Sequence, residues 1–286
     1  MSQSSFLCHN GEFLRANEPS VHPDNRAFRF GDALFEHIHA YATEPQFIEY
    51  HAERLLSGMQ TLAMEIPAFY TASNFKLLIN QLLTKNKIFG GALIRLTVIR
   101  KAGGFYTPLE NRPVFMMESL KLEHNFYELN ERGLVIDLCT GFTKQPGPLA
   151  SVKSASALLY VMAGLQSLEI EVDESILLNP EGRIVETVNS NIFLVSGTSV
   201  FTPGVDAGCI PGVMRRVILD IATAEGYRVN DQSNLTPAAL EDADEVFMTN
   251  AVEGIRWAGA YRHRRYYRKT AQLLVRKLNE VAFPAG

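Results

Sequence analysis

Apolar and polar positions along the chain recur in two periods, and the alternation between those periods predicts a mixed α and β layout. Period-two alternation over 35–41 predicts a strand, with Glu44-Pro45 as the turn after it. Leu55, Leu56, Met59, Leu62 and Ala63 recur at helical spacing and predict a helix over 51–64. A second helix is predicted over 73–86, capped by Ser73, with Phe75, Leu78, Ile79 and Leu82 on its buried stripe. Strands follow over 92–100 and 113–120, around the Gly103-Gly104 turn.

The stretch 143–152, with Pro146, Gly147 and Pro148, reads as a linker that delivers the chain to Lys153 and a helix over 155–169. A strand meander is expected next, over 175–178, 183–188, 192–195 and 199–202, broken by turns rich in Asn, Gly and Ser. Pro211-Gly212 then opens a helix over 213–225, and a strand, a short helix and a strand over 245–249 complete the pattern. The expected organisation is two halves, 1–120 and 151–286, joined by a connection over 121–150.

Composition narrows the function classes. The chain has 286 residues, 47% hydrophobic and 20% charged, which suits a globular enzyme or binding protein rather than a disordered chain. With 27 Lys+Arg against 31 Asp+Glu, the net charge of −4 argues against nucleic acid as a partner. The run from Tyr261 to Tyr267 is accordingly read as a solvated hairpin edge. Three widely spaced cysteines, Cys8, Cys139 and Cys209, form neither a disulfide framework nor a zinc site, and a cytoplasmic setting is expected. No run approaches the roughly 20 apolar residues of a membrane span.

Four places depart from an ordinary solvated surface. Glu186 shares a strand face with Ile184 and Val188, so it either reaches water where the strand frays or meets a donor or cation. Lys153, among small and apolar residues, is either an exposed lysine or a desolvated, nucleophilic amine. Ile210-Pro-Gly-Val-Met-Arg215 is either plain helix punctuation or a glycine entry whose first-turn amides, at Val213 and Met214, receive an anion. Arg54 is a solvated helix arginine or a phosphate clamp. His37 and His39 face one way with His51 following, but no completing ligand spacing supports a metal.

In this order the segments resemble the class IV, or fold type IV, pyridoxal-phosphate enzymes: branched-chain and D-amino-acid aminotransferases and 4-amino-4-deoxychorismate lyase. The resemblance runs through Asn25-Arg-Ala-Phe-Arg-Phe-Gly-Asp-Ala-Leu-Phe-Glu36, His51-Ala-Glu-Arg-Leu55, Lys153-Ser154 and Gly182-Arg-Ile-Val-Glu-Thr-Val-Asn-Ser-Asn-Ile-Phe193. It continues through Thr202-Pro203, Pro211-Gly-Val-Met-Arg215 and Ala243-Asp-Glu-Val-Phe-Met-Thr-Asn-Ala251, and so covers about residues 10 to 260. It implies a smaller N-terminal α/β domain and a larger C-terminal domain with the cofactor, pyridoxal 5'-phosphate, in the cleft between them, and a homodimer acting on small amino-acid and 2-oxo-acid substrates without a membrane. It implies Lys153 as the Schiff-base lysine and Glu186 as the carboxylate on the ring nitrogen. Arg54, the amides of Val213 and Met214, and the Thr249-Asn250 turn would form the phosphate cup.

The implied reaction is transamination, with elimination to pyruvate and 4-aminobenzoate as the alternative in the lyase branch. Phe35-Glu36 after Gly31-Asp32 is similar to aminotransferases, and Met214 with Asn250 is similar to lyases. Leu158 replaces the tyrosine common in branched-chain enzymes, and Arg256-Trp257 replaces Thr-Pro or Met-Pro. The stretch from Ala251 to Gly254 departs from the one that helps to hold the substrate carboxylate in aminotransferases, which puts Ala251 beside the substrate. Phe35 is placed there too. Arg95 and Arg100, on the strand over 92–100, are candidates to bind a substrate carboxylate bidentately.

Overall fold

The computed structural model describes residues 5–17 and 22–284, which divide into two units. The first takes in residues up to Phe126 together with Val152–Ala157, and the second comprises Tyr127–Ser151 and the chain from Leu158 onward.

The first unit is an antiparallel sheet with helices packed against it. Its elements are β1 (Phe6–His9), β2 (Glu12–Arg15), α1 (Arg26–Phe30), β3 (Ala33–Tyr41), β4 (Glu44–Pro45), α2 (Ile48–Thr61), α3 (Ala72–Lys85), β5 (Ala92–Arg100) and β6 (Pro113–Lys121). The strand order is β2-β1-β6-β5-β3-β4. Leu34, Ile38 and Ala40 on β3 pack with Ile48, Leu55 and Met59 of α2 and Phe75, Ile79 and Leu82 of α3 in one core. Such burial is the main stabilising term, about 1.5–3 kcal/mol for each large side chain. Two details differ from expectation. The hairpin turn is Ala42-Thr43, both at positive φ, so Glu44-Pro45 pairs back on β3 instead of turning. The cap of α3 is Thr71, whose hydroxyl accepts from the Asn74 amide at 3.2 Å, rather than Ser73.

The segment with Lys153 belongs to this unit, not to a C-terminal domain beginning at 151. The Phe35 amide donates to the Lys153 carbonyl at 3.1 Å, and the Ala155 amide to the Ala33 carbonyl at 2.8 Å, so 153–155 runs as an added edge along β3. Gly31, at φ +66, ends α1, and a Cβ there would lie 3.2 Å from the Ser156 backbone. Because these residues serve the sheet, the helix expected from 155 starts only at Leu158.

The second unit contains β7 (Leu134–Thr143), α4 (Leu158–Glu169), β8 (Glu174–Leu178), β9 (Ile184–Thr187), β10 (Asn191–Ser196), β11 (Ser199–Pro203), α5 (Val213–Ala224), β12 (Arg228–Ser233), α6 (Pro237–Asp242), β13 (Glu245–Asn250), β14 (Gly254–Tyr261), β15 (Arg264–Arg265) and α7 (Lys269–Ala282). Its mixed sheet has the order β12-β11-β10-β13-β14-β7-β8-β9, with β15 on β14. The expected meander is thus interrupted, because β10 pairs with β13 and no ladder joins it to β9. β7 falls where a connection was expected; it is a sheet member, parallel to both β14 and β8. The basic run near 261 is the β14–β15 hairpin, where Arg262 meets Asp137 and Arg264 donates to the Ala243 carbonyl. Among the described residues no helix is long and apolar enough to cross a membrane.

Candidate active site

In the first unit, one face of β3 carries Phe35 and His37, two residues apart. The Lys153 Nζ lies 4.4 Å from the Phe35 ring centroid, and the Arg95 guanidinium, from neighbouring β5, lies 4.7 Å from the same centroid. Register explains this, since Arg95 is the ladder partner of His37. His37 Nε2 is 3.4 Å from the Arg95 guanidinium. Burial, then the Lys153 and Arg95 charges, lower the His37 pKa to about 4, so the imidazole is neutral at physiological pH. An amine and a guanidinium therefore flank one aromatic ring, with a neutral histidine beside them.

The other face of β3 carries Glu36, buried with Leu34 and Ile38 beneath α2. Arg54 grips it through two nitrogens, Nε to Oε1 at 2.8 Å and Nη2 to Oε2. His51, one turn earlier on α2, bonds Oε2 through Nδ1 at 2.7 Å. A carboxylate only accepts, so this nitrogen carries the hydrogen. Burial would raise the Glu36 pKa; the Arg54 charge and the bonds from His51 and Arg54 outweigh it and hold the carboxyl down at about 2. The sequence drew Glu36 only into an aminotransferase-like pair with Phe35, and His51 only into a metal reading that was set aside; their pairing with Arg54 was not anticipated, although Glu36 shows the signal that exposed Glu186: a carboxylate on an apolar strand face.

Arg100 has another task than binding a substrate carboxylate. It is buried, donating to Asp32 at 2.9 Å, to Asn111 at 2.6 Å and to the Leu62 carbonyl at 2.7 Å. Its guanidinium is spent on the framework.

In the second unit, Glu186 is 3% exposed and does not fray into water. Oε1 receives Lys144 Nζ and the Tyr160 hydroxyl, the latter at 2.7 Å, and Oε2 receives the Ile210 amide at 2.9 Å. Lys144 is itself buried, and neither it nor Tyr160 was anticipated. Burial, then the Glu186 charge, push the Tyr160 hydroxyl pKa well up, so it stays a donor. Leu158, by contrast, is 72% exposed at the start of α4.

The Ile210 amide ties this carboxylate to the entry of α5. There Gly212 is the N-cap, and it supplies no side-chain cap to the first-turn amides at Val213 and Met214. A Cβ on Gly212 would lie 2.0 Å from Asn191 Oδ1, so only glycine permits this approach. Asn191 also donates to the Ile210 carbonyl at 2.8 Å, and it faces Thr249 across the β10–β13 ladder. Thr249 is 2% exposed, yet its hydroxyl finds no hydrogen-bond partner among the described residues. An orphaned buried hydroxyl beside an uncapped helix start is a donor set that fits a phosphate. Asn250 differs: its side chain accepts from the Val252 and Glu253 amides and donates to Ser190 and Glu253, shaping the turn. Half-buried Ala251 offers its carbonyl to the Tyr127 hydroxyl at 3.3 Å.

With this geometry in place, the family described as amino-transferase class IV matches residues 33–259. The chain is 29% identical to an aminodeoxychorismate lyase of Vibrio harveyi over 81% of this chain and 83% of that one. It is 28% identical to a putative branched-chain-amino-acid aminotransferase of Methanocaldococcus jannaschii over 86% of this chain and 84% of that one. The branched-chain amino acid aminotransferase of Thermobaculum terrenum, in its PLP (holo) form, superposes with a TM-score of 0.87 at 19% identity, covering 99% of this chain and 95% of that one.

Proposed function

The chain belongs to the class IV amino-transferase family, and we propose that it is a pyridoxal-phosphate-dependent aminotransferase moving an amino group between an amino acid and a 2-oxo acid. The observation that carries this reading is the placement of the Lys153 amine and the Arg95 guanidinium against the one ring of Phe35. An amino-acid substrate needs both: an amine to work at Cα and a cation for its carboxylate.

Bound pyridoxal phosphate supplies an aldehyde that captures amines and a ring that accepts electrons released at Cα. Lys153 Nζ is the amine assigned to hold that aldehyde carbon. The same Nζ would carry the proton between the substrate Cα and the cofactor's C4′. Glu186 is assigned to the ring nitrogen; the bonds from Lys144, Tyr160 and the Ile210 amide support this by fixing its charge in place. Arg54, the Val213 and Met214 amides and Thr249 are assigned to the phosphate. Arg95, steadied by Phe35 and His37, is assigned to the substrate carboxylate. A homodimer is also part of the proposal, and the apolar side chains that α4 leaves exposed, Leu158, Val161, Leu165 and Leu168, offer such an assembly a surface.

A second reading, 4-amino-4-deoxychorismate lyase, is favoured by the likeness to the Vibrio harveyi lyase. There the same residues release the Cα proton, and elimination gives pyruvate and 4-aminobenzoate. An absorbance titration separates the two. Loss of the visible band on adding an amino acid, restored by a 2-oxo acid, supports the aminotransferase; a band indifferent to amino acids, with pyruvate formed from 4-amino-4-deoxychorismate, supports the lyase. Lys153→Ala removes the visible band while far-UV circular dichroism stays unchanged; a retained band refutes the role of Lys153.

A further inference from the structure

We propose that Glu36 and His51 are positioning residues that set the Arg54 guanidinium for the cofactor's phosphate, an inference that rests on the phosphate role given to Arg54 above. A buried carboxylate is costly unless it is well paired, and β3 places Glu36 on the face that packs under α2. The pairing found there is two-nitrogen, with Arg54 Nε and Nη2 both committed to the carboxylate. Such a fork fixes the plane of the guanidinium, so its orientation follows from the strand and helix rather than from a mobile side chain. An arginine ordered in advance loses little freedom when an anion arrives.

His51 completes the arrangement. It sits three residues before Arg54, on the same face of α2, and its Nδ1 hydrogen holds Glu36 Oε2 at 2.7 Å. Burial keeps this imidazole neutral, so it shares the carboxylate with the Arg54 cation as a neutral donor. A neutral donor steadies the carboxylate without drawing it away from Arg54.

The test compares two ligands that differ only in the phosphate. The full-length chain, stripped of cofactor, is titrated with pyridoxal phosphate and with pyridoxal, reading the visible band formed on Lys153. Glu36→Gln is expected to weaken pyridoxal phosphate binding about tenfold, as for loss of a charge-assisted hydrogen bond, and pyridoxal binding less than about twofold. Arg54→Gln gives the same selective loss, and the double variant adds little to it. His51→Leu loses severalfold on the phosphate ligand only, while His51→Asn, which keeps a donor near the Nδ1 position, restores it. The His51 pair decides the matter if Glu36→Gln does not fold. Equal losses for both ligands, or none, in the Glu36 and His51 variants while Arg54→Gln stays phosphate-selective overturn the positioning role alone. An unchanged ratio in Arg54→Gln overturns the phosphate role of Arg54, and this proposal with it.

Discussion

Arg100 donates through Nε to Asp32 Oδ2 at 2.9 Å, the same oxygen that Arg26 reaches at 2.8 Å. Two buried guanidiniums thus share one carboxylate, and burial of Asp32 is outweighed by bonds from Arg100 and Arg26 that lower its pKa. Arg26 also donates to the Gly103 and Phe105 carbonyls, so the network ties the start of the unit to the loop after β5. Arg100→Met leaves Asp32 with Arg26 alone and takes a donor from Asn111 and from the Leu62 carbonyl, and is expected to cost about 3 kcal/mol. Urea unfolding with the holoenzyme's KM measured alongside checks this. A raised KM with unchanged stability would return Arg100 to the substrate.

Lys144 and Glu186 form the corresponding buried pair in the second unit. Lys144→Met removes the cation that the carboxylate contacts there and is expected to destabilise by about 3–5 kcal/mol. Tyr160→Phe removes a neutral donor and is expected to cost about 1–2 kcal/mol. Glu186→Gln keeps the shape and is expected to leave cofactor bound while slowing turnover by orders of magnitude, because a neutral amide cannot stabilise a protonated ring. Cofactor content by absorbance, turnover and urea midpoints separate the three. A Glu186→Gln enzyme with unaltered turnover would remove Glu186 from the chemistry.

Local periodicity revealed most of the elements and little of their partnering. α2, α3, β5, β6 and α5 lie close to where apolar spacing predicts them, because each buries one stripe or face against its own unit. β7 was missed because prolines and glycines just beyond it suggested a linker, and only its neighbours β14 and β8, distant in sequence, make it a strand. The residues that bear chemistry were legible where a charged side chain interrupts an apolar pattern, as at Glu186. Their partners were not. Nothing local in the sequence around Lys144 reveals that it closes on residue 186, or that Glu36 lies under Arg54, since both depend on how strand and helix faces meet.

Gly212 gives a direct test of the phosphate role proposed for the entry to α5. Its φ of −63 would suit any residue, so the demand for glycine comes from crowding, chiefly the approach of Asn191. Gly212→Ala forces Asn191 off the Ile210 carbonyl and is expected to cost about 1–3 kcal/mol, with a larger fall in affinity for pyridoxal phosphate than for pyridoxal. Thr249→Val, which removes the orphaned hydroxyl and keeps the shape, is expected to leave stability unchanged or slightly higher and to weaken only the phosphate ligand. Equal affinity of Thr249→Val and the parent chain for both ligands would exclude that hydroxyl from the phosphate.

Acid is expected to destabilise the first unit in two steps. His39 is 2% exposed on β3, and burial lowers its pKa from 6.5 to about 4. Its native form is neutral while the unfolded chain takes up a proton first, so the stability it contributes is present above pH 6.5 and is lost as pH falls towards 4. The size is about 3 kcal/mol across that window, from the size of the shift. Glu36 acts in the same direction lower down: its stabilisation is complete above pH 4.5 and is lost as the pH falls through about 2. Urea midpoints at several pH values between 7.5 and 4, for the parent chain and for His39→Gln, isolate the first step. The variant is expected to have a flatter profile between pH 6.5 and 4, converging on the parent at the acid end. Parallel profiles would mean that His39 titrates alike in the folded and unfolded chains, and the acid sensitivity above pH 4 would then belong to His37 and His51, whose pKa values burial also lowers.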